Sequence, residues 1–264
     1  MSFTPIVPTT GYTGWLFLER TMDSQRENFE NSAEISRKTD YFAEKIADVK
    51  TADDLVADRR LLEVALGAFG LDDDINNTYF IKKVLEDGTT SDTALANRLA
   101  DKRYAAFSDA FGFANLAGPN TERPDFADTT VALYEKKQFE IAIGDQNEDM
   151  RLALNAEGEI KQIAQADRSN DSKWFSIMGS PPLRTVFETA LGLPSSFSQL
   201  DLDRQLEVFK DKSQQRFGTS DISDFANNET QNDLIRQFLV RSEINASINA
   251  TSPASIALTL LQGF

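Results

Sequence analysis

Between Trp15 and Val49 the chain runs for thirty-five residues without a proline or a glycine. Nothing in that stretch interrupts a helix, and it is several times longer than an ordinary strand. Its apolar positions step along one side, Trp15, Leu18, Met22 and Phe29, then Phe42, Ile46 and Val49, with Glu, Arg, Asn and Lys between them. That is the narrow stripe of a long helix lying along a partner helix, in the same chain or in another subunit. A chain that begins this way folds by packing helices, and the rest of the sequence has to supply their partners.

The downstream punctuation agrees. Thr51-Ala52-Asp53-Asp54 is a near capping box, a hydroxyl N-cap with a carboxylate three residues on, and Leu55, Leu62, Leu66 and Phe69 then share one face up to Gly70. The acidic turn Asp72–Asn77 leads into Phe80, Ile81, Val84 and Leu85, ending near Gly88. Ser91 or Asp92 can cap a longer helix carrying Leu95, Leu99, Ala106, Phe107, Ala110 and Phe111. A break follows at Gly118-Pro119. From Phe126 the helical pattern resumes through Val131, Tyr134 and Ile141, although Gln138–Ile143 also alternates and could form a hairpin with Met150–Leu154; helix is the preferred reading. Ser180-Pro181-Pro182 opens a helix that Gly192 and Pro194 close. Later helices carry Leu202, Leu206 and Phe209, then Ile235, Phe238, Leu239 and Ser242. The last opens at Ser252-Pro253 and carries Ile256, Leu260 and Leu261 to Phe264. The expectation is an all-α, multi-helix bundle-like domain: a flexible segment 1–14, a helical half 15–117, a linker 118–125 and a second helical half 126–264.

The halves echo each other. Leu62-Glu63-Val64-Ala65-Leu66-Gly67 reappears as Phe187-Glu188-Thr189-Ala190-Leu191-Gly192, and Arg26-Glu27-Asn28-Phe29-Glu30 as Lys136-Lys137-Gln138-Phe139-Glu140. Their common order points to a duplication. Recurrence of Ala, Leu, Glu and terminal Gly for propensity and capping reasons stays open as the alternative.

Composition closes many chemistries. The chain has no His and no Cys, so Ser-His-Asp and Cys-His triads, thiolate nucleophiles and conventional zinc sites cannot be assembled from it. Neither of the common Gly-rich nucleotide-phosphate fingerprints occurs. Asp72, Asp74 and Asn76 have the first spacings of a calcium loop, but Asn77 stands where Gly is required and Lys83 where Glu is required. No metal or other cofactor is expected. A formal charge of −15 repels phosphate backbones, which makes nucleic acid a poor partner. No run is long and apolar enough to span a bilayer, and the N-terminus lacks the basic and apolar regions of a secretory signal.

Several segments carry a family likeness: Asp58–Leu71, Phe80–Glu86, Trp174, Ser180–Arg184, Ala190–Pro194 and Leu200–Gln205. Over most of its length the chain resembles a bacterial domain family of unknown function often encoded among flagellar genes. The resemblance supplies no catalytic residue. It implies a flagellar connection by gene context and, with it, a cytoplasmic location or export through a flagellar secretion channel. The function expected is therefore a non-enzymatic protein that binds or assembles with other proteins. Its candidate partner-binding residues are Trp15, Leu18, Met22 and Phe29 on the long seam and Leu260, Leu261 and Phe264 at the apolar end. The rival expectation is a carboxylate-dependent enzyme or a cation-binding helical domain, which would need several acids to converge in one cleft.

Overall fold

A computed structural model of the chain describes residues 3–99 and 101–250. Among them are thirteen α-helices and no strand, so the all-α expectation holds. In order these are α1 (Gly11–Glu30), α2 (Ala33–Lys45), α3 (Ala52–Ala57), α4 (Arg59–Ala68), α5 (Thr78–Asp87), α6 (Leu95–Arg98), α7 (Arg103–Phe111), α8 (Phe126–Gly144), α9 (Glu148–Gln165), α10 (Asn170–Gly179), α11 (Pro181–Leu191), α12 (Leu202–Phe217) and α13 (Asn228–Ala250). The helix expected from Ser252-Pro253 lies outside the described residues.

Three long helices read from the periodicity are each broken in two, always by a short polar side chain that bonds its own backbone. Between α1 and α2, the Asn31 amide donates to the Glu27 carbonyl at 2.8 Å, and Ser32 turns extended while its N–H reaches Phe29 O. Between α3 and α4 the agent is Asp58, whose carboxylate accepts from the N–H groups of Arg60 and Leu61 and from the Tyr41 hydroxyl at 2.6 Å. Between α6 and α7 the Asp101 carboxylate accepts from Arg103 N–H, while Lys102 Nζ donates to the carbonyls of Asn97 and Leu99. The apolar spacing in the sequence runs on across all three breaks, so periodicity alone does not mark them. Asp58→Ala is expected to cost about 1–2 kcal/mol, since it removes an N-cap at the start of a buried helix; a urea titration followed by circular dichroism measures it.

Where the expected features are local, they appear in place. Thr51 forms a full capping box with Asp54. The stretch that could have been a hairpin is α8 and α9, separated by a turn in which Asn147 caps α9 through Met150 N–H. Gly70 and Gly192 both take positive φ, +67° and +66°, which only glycine adopts without strain. In each case the next residue donates back into the helix, Leu71 to Leu66 O and Leu193 to Glu188 O, and a 3-10 turn follows, at Asp72–Asn76 and Ser195–Gln199. The sequence echo aligns Gly67 with Gly192, but Gly67 is buried inside α4. The local counterpart of Gly192 is Gly70.

The chain divides into two compact units. Among the described residues, one comprises Met22–Ala142 with residues 3–5; the other comprises Ile6–Thr21 and residues 143–250. The expected linker 118–125 is therefore not a boundary. Thr121 is buried and its hydroxyl donates to Val49 O at 2.6 Å, while Lys50 pairs with Glu122, so this Pro- and Gly-rich stretch belongs to the first unit. Within the segment 1–14 expected to be flexible, α1 already starts at Gly11, and both Gly11 and Gly14 are buried.

Each unit has its own aromatic cluster. In the first, Phe107 stacks edgewise near Phe69, and Phe111 meets Phe107 and Phe126 with ring centroids 5.0 and 5.1 Å apart. In the second, Trp174 lies between Phe187 and Phe209 at 5.4 and 5.6 Å, while α11 packs against both α9 and α13.

Candidate functional site

The seam expected to bind a partner is largely interior. Trp15, Leu18 and Phe29 are 3%, 0% and 7% exposed. Met22 is half-buried, with its sulfur accepting a long contact from Arg26. These side chains serve the chain's own core. Leu260, Leu261 and Phe264 lie outside the described residues.

An apolar row that does face solvent is on α13. Its Leu234, Ile235, Phe238 and Leu239 are buried, whereas Val240, Ile244 and Ile248 are 39%, 51% and 61% exposed. Spacing of four residues puts those three on one ridge, and Val240 points about 160° away from Phe238 at the roughly 100° per residue of a helix. The helix is fixed in this orientation within its unit. The Ser242 hydroxyl donates to Asp149 on α9 at 2.6 Å, Arg241 lies over Gly192 at the end of α11, and Glu243 lies against Gly11. The residues that suggest this helix in the sequence, Ile235, Phe238, Leu239 and Ser242, do not include Ile244 and Ile248. The signal was present as the four-residue spacing after Val240, offset from the buried face.

Two shallow clefts are the other candidates. In the first unit, a cleft of about 220 Å³ is lined by Arg59, Glu63, Leu66, Asp72 and Ile75. Its acids already have partners: Glu63 pairs with Lys38 at 2.9 Å, and Asp72 accepts from the Gln138 amide at 2.8 Å. Burial alone pulls the Lys38 ammonium down, but the bond to Glu63 and the charges around it prevail and raise its pKa. Burial pushes the neighbouring Tyr134 phenol up to about 12, against the pull of Lys38. Such a cluster is a satisfied polar network. In the second unit, a more open cleft of about 470 Å³ is lined by Tyr12, Phe217, Glu229, Thr230, Asn232, Asp233 and Arg236, with Arg236 paired to Asp233. Among the described residues, no group of three acids converges as a metal site. Asp74 of the acidic turn accepts from Asn77 and from the Tyr104 hydroxyl.

One carboxyl stands apart. Burial on α8, reinforced by the Glu30 carboxylate, pushes Glu135 up from 4.5 to about 7. The folded chain therefore holds this proton more tightly than the unfolded chain does. Its contribution is favourable at pH below about 4.5 and is lost as pH rises through about 7. Glu135→Gln is expected to stabilise the protein at pH 8 by about 1 kcal/mol, discounted for its partial exposure, and to leave stability at pH 4 unchanged. Urea midpoints measured at the two pH values give the comparison.

No helix among the described residues is long and apolar enough to cross a membrane. No curated protein matches the chain. The crystal structure of protein AGR_C_984 from Agrobacterium tumefaciens is similar, at 27% identity over 92% of this chain and 99% of that one, with a TM-score of 0.72. Residues 68–230, more than half of the chain and reaching from the end of α4 into α13, match the family described as protein of unknown function (DUF1217), and the chain belongs to that family.

Proposed function

We propose that this protein is a non-enzymatic binding or assembly component, and that the α13 row of Val240, Ile244 and Ile248 is its docking ridge. The observation that carries this reading is an ordered set of large aliphatic side chains facing water on a helix whose opposite face is fully packed. The partners of Glu63, Asp72 and Asp233, which are Lys38, Gln138 and Arg236, add support, because they engage these cleft-lining acids within the fold. The gene-context association implied by the family resemblance suggests a flagellar component as the partner, met in the cytoplasm or after export.

The test is affinity capture from the native host, in cell and culture-supernatant fractions, with the wild-type chain and with Ile244→Asp. Recovery of a flagellar component by the wild type, and its loss with Ile244→Asp at unchanged helical content, is the expected result. Equal recovery by both chains would remove α13 from the reading. Recovery from the supernatant fraction would favour export.

The carboxylate-dependent alternative draws on one observation, the raised Glu135 beside Glu30. It would require an activity that falls in Glu135→Gln while the fold is retained.

A further inference from the structure

We draw no further inference here: the strongest candidate, the exposed apolar surface at Val240 and Ile244 on α13, belongs to the site already described, and nothing in the structure shows what covers it.

Discussion

Replacing Trp174 by alanine is expected to destabilise the second unit by about 3–5 kcal/mol, the range for deleting a large buried aromatic side chain. Trp174 is fully buried, stacked on Phe209 and edge-on to Phe187, and these rings continue to Phe197 and Phe225. Its indole N–H donates to Ser220 O at 2.9 Å, but that carbonyl also accepts from the Asn170 amide at 2.9 Å. The loss is therefore chiefly a cavity and the missing ring contacts, rather than an orphaned acceptor. Trp174→Phe separates the two contributions: it keeps a ring between Phe187 and Phe209 and should cost clearly less than the alanine variant. Hydrogen exchange in α10, α11 and α12, combined with urea titration, provides the measurement. An alanine variant with unchanged protection in these helices would contradict the assignment of Trp174 as the centre of this core.

Gly67→Val is expected to cost the first unit about 2–3 kcal/mol, toward the upper end for overpacking a buried site. A Cβ at Gly67 would lie 2.7 and 2.8 Å from two carbons of the Tyr134 ring and 3.1 Å from the Gln138 amide nitrogen. The ring has little freedom to retreat, because Tyr134 is 1% exposed and its hydroxyl is bonded to Lys38. Mid-helix glycine ordinarily sacrifices about 1 kcal/mol relative to alanine, so a neutral or favourable effect would be expected if propensity alone governed this position. Combining Gly67→Val with Tyr134→Ala, and comparing its loss with the sum of the single losses, tests the contact directly; a shortfall of at least about 0.5 kcal/mol is the coupling expected of touching residues. Strict additivity would show that Tyr134 is not the obstacle.

Gly67 also shows where sequence reading loses resolution. In sequence it is a glycine at the end of an Ala-Leu-Gly triplet like Gly192, and the echo pairs the two although the helix stop is read at Gly70. Gly192 has a positive φ and ends α11, while Gly67 is a close-packing position three residues before the glycine that turns the chain. Only the approach of Tyr134, sixty-seven residues away in sequence, distinguishes them. Asn31, Asp58 and Asp101 repeat the lesson for helix breaks: each was visible as a short polar residue, yet whether its side chain bonded its own backbone or faced solvent depended on which flanking residues had to be buried.

The partner surface followed the same division. Periodicity identified Trp15, Leu18 and Phe29 as one apolar face, and that face exists, but its burial was decided by packing. Val240, Ile244 and Ile248 carry an equally regular spacing and remain outside because Ser242, Arg241 and Glu243 anchor α13 by its other sides.

The sequence by itself determined the helical class, the cap at Thr51, the turns at Gly70 and Gly192, and the exclusion of histidine and cysteine chemistry. Each of these follows from interactions within a few residues or from composition. Tertiary structure decided the division at Ala142 and Ile143, the place of Thr121 in the first unit and which apolar stripe faces water. Those outcomes depend on contacts between residues far apart in the chain, and no local pattern encodes which of two equally apolar faces will find a partner first.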